Sequence, residues 1–335
     1  MKITLADGNG GKETAALIDK YFMKYFGNDI LARAEDAAAL YIGGPKRIAL
    51  TTDSFVVDPL FFKGGDIGRL CVCGTVNDLL MAGAQPKFLT AAFIIEQGFD
   101  SDDLERVSDS ISRAAKEAGV KIAAGDTKVV EARAKPGLFI NTSGVGVCAG
   151  RPVSAGGARP GDAVIVSGSL GDHHACILSA RMGIENDIAT DAAPLGGLVK
   201  ALRDAAVPIR AMRDITRGGL ATVLNEIARA SRCQISINEK DLPVSPAVKG
   251  LCGILGLDPL YMGNEGKLAV FVPEKKANTA LAALKTAKYG KNAAIIGRVD
   301  EIQSPDCGGA VVMRTEIGGR RLVDSLSGEG LPRIC

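Results

Sequence analysis

Glycine clusters divide this chain into segments that switch repeatedly between two periods, and that alternation constrains the fold more than any other feature. The clusters fall at 8 to 11, 43 to 44, 64 to 68, 156 to 161, 218 to 219 and 318 to 319. Thr14 to Phe26 carries apolar residues at 17, 18, 21, 22, 25 and 26, the spacing of an amphipathic helix. Ser101, followed by Asp102 and Asp103, opens a second helix that Gly119 closes. Short β-prone runs lie between them: Arg47 to Thr51, Phe88 to Ile95, Val120 to Ala124 and Leu138 to Val147. After a stretch of turn formers at 151–162 comes a fresh apolar run, Ala163 to Val166. Strands at 234–237 and 267–272 and helices at 219–231 and 274–287 follow. The expectation is a mixed α/β chain of two domains, 1–150 and 151–323, with a mobile tail at 324–335.

Composition narrows the function. Forty basic residues against 38 acidic ones leave +2, far from the balance that binding a nucleic-acid backbone favours. Aromatic residues are only 4% with no Trp, so stacking platforms for single strands are scarce. No apolar run approaches the roughly 18 residues of a membrane span. The N-terminus passes from Lys2 to Asp7 and a glycine cluster without the apolar core of a signal peptide, which reads as cytosolic. Eight cysteines contain no C-x-x-C pair and the two histidines, His173 and His174, are adjacent, which argues against a structural zinc site. Most of these thiols read as small buried hydrophobes.

The glycine-rich segment at 8–13 is not a phosphate-binding P-loop: Ala6 stands where the first glycine belongs, and Glu13 where Ser or Thr belongs. It still offers backbone N–H groups and the Lys12 cation to an anion, or serves as a plain helix start. Gly144, Gly146 and Ala149 imitate a dinucleotide fingerprint, but ProVal and a turn follow instead of a helix. More telling are aspartates beside small residues at the ends of apolar runs: Asp36, Asp53, Asp78, Asp126 and Asp214. Each taken alone fits a cap or a turn. Together they suit a hard cation such as Mg2+ carrying nucleotide phosphates.

The motifs LTTDSFVVDPLFFKGGDIGRL, TVNDLLMAGAQPKFLT, AAGDTKVV, MRDITRGGLATVLNEIA and GNEGK, closed by a terminal ProArgIleCys, resemble the HypE family of hydrogenase maturation proteins. That family lies within the ATP-binding superfamily of aminoimidazole ribonucleotide synthetase and selenophosphate synthetase. The resemblance spans the chain and implies a two-domain fold, each domain a mixed sheet covered by helices, in a homodimer. It implies ATP and Mg2+, with Lys12, Asp36, Asp53, Asp66, Asp78, Asp126, Asp214 and Arg217 around the nucleotide and Asp36, Asp53, Asp78 and Asp126 on the metal. Asp7 departs from the family's usual His before the glycine turn, and Asn9 stands where selenophosphate synthetases carry a reactive cysteine or selenocysteine.

The resemblance further implies a carbamoyltransferase partner, HypF, that carbamoylates Cys335. ATP-dependent dehydration of that group to a thiocyanate follows, and the product passes to an iron scaffold of HypC and HypD. Glu265 and Lys128 are the candidate bases, each also readable as one half of a surface ion pair. From Ser325 the tail reaches at most about 35 Å, enough to carry the thiol into a cleft or out to a partner. Two rival readings stand beside this one: a kinase or synthetase acting on a free small molecule, and a non-catalytic carrier presenting Cys335.

Overall fold

The computed structural model describes residues 4, 6–8, 10–41, 47–132, 137–148, 150–301 and 309–327. In the first half, α1 (Lys12–Leu17) runs through a π-helical stretch, Ile18–Met23, into α2 (Lys24–Phe26). Strands β1 (Ala38–Tyr41) and β2 (Arg47–Phe55) follow, then a small hairpin of β3 (Phe61–Phe62) and β4 (Gly65–Asp66), and α3 (Ile67–Met81). Next come β5 (Ala84–Glu96), α4 (Ser101–Ala118), β6 (Lys121–Val130) and β7 (Leu138–Cys148). One five-stranded sheet, in the order β1-β2-β7-β5-β6, gathers the long strands. Helices α3 and α4 pack together, with α3 lying on β2, β7 and β5.

The two faces of this sheet differ. Along β7 every second residue is buried, beginning with Leu138, and those between are only half-buried, the alternation of a sheet with one covered face. Register follows the rows across the strands. Asp53, Thr142, Ala91 and Gly125 form one row, and Ser54, Asn141, Ala92 and Asp126 the next. Neighbours in a row share a face. The Asp53 row faces α3, where Thr75 bonds to Asp53, and the Asp126 row faces outward.

The second half contains β8 (Asp162–Val166), α5 (Asp172–Met182), α6 (Gly196–Asp204), β9 (Ala211–Asp214) and α7 (Gly219–Ser231). It continues with β10 (Gln234–Asn238), α8 (Pro246–Leu255), β11 (Leu268–Pro273), α9 (Ala277–Thr286), β12 (Ala294–Asp300), β13 (Ala310–Arg314) and β14 (Arg320–Val323). Its seven-stranded mixed sheet has the order β14-β13-β10-β12-β8-β11-β9. Here both faces are covered: Ile165 joins an apolar cluster with Leu198 and Leu284, while Val164 and Val166 join another with Leu224 and Ile227. That double burial is why β8 and β11 read as unbroken apolar runs. The first cluster also contains Phe55, Leu70, Val76 and Leu89, so one core runs through both halves.

Helix α4 obeys its sequence signals: Asp100 caps it by accepting from the Asp102 N–H, and Gly119 ends it at φ 70°. Helix α3 gives no periodic signal because 13 of its 15 residues are buried, leaving no polar face to mark a period. The amphipathic stripe of α1 and α2 is real but uncovered within one chain, with Tyr25 71% and Phe26 64% exposed. No helix among the described residues is long and apolar enough to cross a membrane. Six described cysteines, at 71, 73, 148, 176, 233 and 252, are free and buried; burial pushes Cys73 up to about 12 and Cys233 up to about 11.

Candidate active site

Five carboxylates meet where the two halves join. Asp36 precedes β1, Asp53 lies on β2 and Asp78 is in the last turn of α3. Asp214 ends β9, and Glu265 stands in the loop entering β11. Thr51 donates to Asp78 Oδ2 at 2.7 Å and Thr75 to Asp53 Oδ2 at 3.2 Å, so hydroxyls of the first half hold two of them. Asp36 is held from the second half, its Oδ1 2.9 Å from Arg213 Nη1, and the same nitrogen lies 2.6 Å from Glu226 on α7. Asp214 Oδ2 is buried with no hydrogen-bond partner.

Crowding like charges away from water disfavours ionisation. Burial, outweighing Arg213, pushes Asp36 up to about 7, with Glu226, Glu35 and Asp53 adding to the rise. Burial raises Asp53, opposed by its hydrogen bond from Thr75 and by Arg217. Asp78 stands well above the ordinary carboxylate range because of burial and then Asp53, Asp214 and Asp36. Asp214 does so because of burial, Asp36 and Asp53. Glu265 is raised in the same way by burial, Asp214 and Asp191, with Arg217 opposing. An unpaired buried oxygen and mutually repelling carboxyls are what a bound cation would relieve. Among the described residues no three His, Cys, Asp or Glu side chains converge closely enough to enclose an ion alone. Mg2+, which usually takes only one or two carboxylates and completes its shell with water and phosphate oxygens, fits that donor set.

The remaining residues named from sequence fall into three groups. Arg217 lies within electrostatic reach of Asp53 and Glu265, and Lys12 follows the glycine-rich loop that touches Arg217. Arg217 Nη1 donates to Gly8 O at 3.3 Å, and a Cβ on Gly10 would lie 3.1 Å from Arg217 Cβ. Lys12 pairs with Asp324, and its N–H donates to Leu326 O at 3.0 Å. The start of the tail is therefore docked on the glycine-rich loop, where the sequence suggested mobility from Asp324 onward. Residues 328–335, including Cys335, lie outside the described residues. Asp66 caps α3, accepting from the Arg69 N–H at 3.0 Å, and takes no part in the cluster's hydrogen bonds.

Asp126 and Lys128 are elsewhere. They pair with Ala92 and Ile94 in register, on the outer face of the sheet, with 65% and 71% of their side chains exposed and 3.6 Å between them. A strand's period of two sends Asp126 to the opposite side from Asp53, so within one chain neither residue joins the buried carboxylates.

Sequence reasoning passed over Arg213, Asp191, Lys267 and Asn77. Arg213 and Lys267 lay inside quoted motifs as unassigned cations. Lys267 Nζ is 3.0 Å from Asp191 Oδ2, both side chains at most 10% exposed. Burying two charges is tolerated only when they pair, and nothing in the sequence near 191 signals the pairing.

Models of the AIR synthase related protein, N-terminal domain, and the AIR synthase related protein, C-terminal domain, match residues 34–148 and 159–307. The fold and the junctional carboxylates thus define an AIR synthase-related protein of two α/β halves. The chain is 51% identical to carbamoyl dehydratase HypE of Rhodobacter capsulatus over 340 residues, covering 100% of this chain and 98% of the relative. It matches a crystal structure of a HypE-HypF complex at 48% identity and TM-score 0.85, covering 93% of this chain and 100% of that one. A HypE structure in complex with ATP matches at 47% identity and TM-score 0.83, covering 100% of both chains. The chain belongs to the carbamoyl dehydratase HypE family, enzymes of hydrogenase maturation.

Proposed function

We propose that the protein uses ATP to dehydrate an S-carbamoyl group on Cys335 to a thiocyanate, the source of the cyanide ligand of the [NiFe]-hydrogenase iron. The observation that carries the reading is the cluster of Asp36, Asp53, Asp78, Asp214 and Glu265, drawn from both halves and with Asp214 and Glu265 buried. Likeness along the full chain to relatives named for this activity supports it, as do solved HypE structures with ATP and with HypF. In this reading HypF supplies the carbamoyl group and the HypC-HypD scaffold takes the product.

The chemistry follows from a poor leaving group. The carbamoyl oxygen takes the γ-phosphoryl group of ATP, releasing ADP, and the nitrogen loses one proton. The C–O bond then breaks, phosphate carries the oxygen away, and loss of the second N–H proton leaves S–C≡N. Glu265 is the base we assign, since burial among carboxylates raises its affinity for protons well above that of an ordinary carboxylate. Asp53, Asp78 and Asp214 would supply oxygens to Mg2+, which when bound neutralises phosphate charge; Asp36 is already tied to Arg213. Lys12 and Arg217 flank the nucleotide's entrance. A second copy would cover the outer sheet face, where Leu50, Phe88, Ile94 and Val130 are exposed, in the cytoplasm.

Intact mass of the chain after incubation with HypF, carbamoyl phosphate and ATP tests this. Carbamoylation followed by ATP-dependent loss of one water is expected, and Cys335→Ala should show neither while still folding and binding nucleotide. Modification of an internal cysteine, or turnover without Cys335, would refute the reading.

A further inference from the structure

The segment 190–195 runs between the helix that carries Asp78 and the loop that carries Glu265, and it is bonded to both. On the α3 side, Arg69 Nε donates to Ala192 O at 2.7 Å. Asn77 uses both ends of its amide, Nδ2 donating to Ala193 O at 3.1 Å and Oδ1 accepting from Leu195 N at 2.9 Å. On the other side, Ala193 N donates to Glu265 O at 3.3 Å and Glu265 N donates to Asp191 Oδ1 at 2.9 Å. The two backbones touch: a Cβ on Gly266 would lie 1.9 Å from Asp191 O. Ala193 therefore faces Asn77 with its carbonyl and Glu265 with its N–H, so a shift of either partner moves the other. The far end is fixed by Thr190, which donates its N–H to Lys63 O at 2.9 Å and shares a 2.7 Å hydrogen bond with His173.

Asp191 Oδ1 is the acceptor that holds the Glu265 N–H, and Lys267 balances the charge that this buried post carries. Lys267 in turn lies over Gly168, whose absent side chain leaves room for its stem. We propose that segment 190–195 sets the distance between the nucleotide-side carboxylates and the base, with Asp191 the positioning residue that acts through Glu265 and Asn77 the fastening to α3. This rests on the assignment of Glu265 as base, and the test separates the two.

Two double variants of the full-length protein keep the pocket neutral and filled: Asp191→Asn/Lys267→Met, which retains an acceptor for the Glu265 N–H, and Asp191→Leu/Lys267→Met, which does not. Each is carbamoylated on Cys335 with HypF, and the single-turnover rate of water loss is followed by intact mass, with ATP affinity measured by calorimetry. The asparagine variant should react at close to the wild-type rate. The leucine variant should be about 10²-fold slower, the scale of a reacting group misplaced by about 1 Å, with ATP affinity unchanged. In a Glu265→Gln background the leucine change should cost nothing more. Equal rates for the two double variants, a parallel loss of ATP affinity, or an undiminished penalty in the Glu265→Gln background would each overturn the proposal. Wild-type turnover of Glu265→Gln alone would remove the base assignment and the positioning role with it.

Discussion

Asp36 shows which of two opposed effects governs this site, because it has a guanidinium at 2.9 Å and yet is pushed up to about 7 from an ordinary 3.8. An acid whose folded-state proton affinity exceeds its unfolded one stabilises the fold while protonated. That contribution is lost as pH rises from 3.8 to 7. At about 1.4 kcal/mol for each pH step, ionising Asp36 in the folded protein costs at most about 4 kcal/mol by pH 8. Asp36→Asn removes the charge while leaving Arg213 paired with Glu226 at 2.6 Å. The variant should therefore be more stable than the wild type at pH 8, by up to about 4 kcal/mol since the shift already includes the Arg213 attraction, and by less than half of that at pH 5, where most of the loss has yet to occur. Guanidinium unfolding followed by circular dichroism at the two pH values measures this. A variant destabilised at pH 8 and not at pH 5 would mean that the Arg213 attraction exceeds the desolvation cost, reversing the sign of the argument. Gained stability is expected to come with altered nucleotide affinity, the usual exchange at a strained site.

Three further outcomes follow from the geometry. Asp78→Asn should weaken binding of Mg-ATP by about tenfold or more, the scale of one charge-assisted contact, whereas Asp126→Asn, on the outer face, should leave nucleotide affinity unchanged; calorimetry showing the reverse would relocate the site. Glu265→Gln should retain ATP binding and carbamoylation but slow water loss by about 10²-fold or more, and a wild-type rate by intact mass would transfer the role of base elsewhere. Gly11→Ala would place a methyl 2.3 Å from Leu326 O, so the Lys12 N–H should lose that acceptor and exchange with deuterium about fivefold faster; unchanged exchange would show that the tail is not held there.

How far the sequence carried differs from one element to another. Helix α4 and four of the five strands of the first sheet, β1 excepted, were legible because each repeats a local rule: a cap, a closing glycine, an apolar run of the right length. Helix α3 was not, since a helix buried all round has no polar side to betray its period, although it positions Thr75, Asn77 and Asp78. The aromatic stripe of α1 and α2 was correctly periodic, but a period reports the face of a helix and not whether anything covers it.

By itself the sequence determined that the chain is mixed α/β and which family it resembles, and it offered aspartates at strand and helix ends as candidates for the chemistry. Only the tertiary structure decided which carboxylates meet. Asp53 and Asp126 look alike in sequence, each beside threonine near the end of an apolar run, yet the sheet register puts one against α3 and the other on the outer face. Asp191 lies 74 residues from Glu265 and still holds its backbone, and Arg213 crosses from β9 to Asp36. Such pairings depend on charge buried between elements distant along the chain, where the energy comes from exclusion of water rather than from any local spacing.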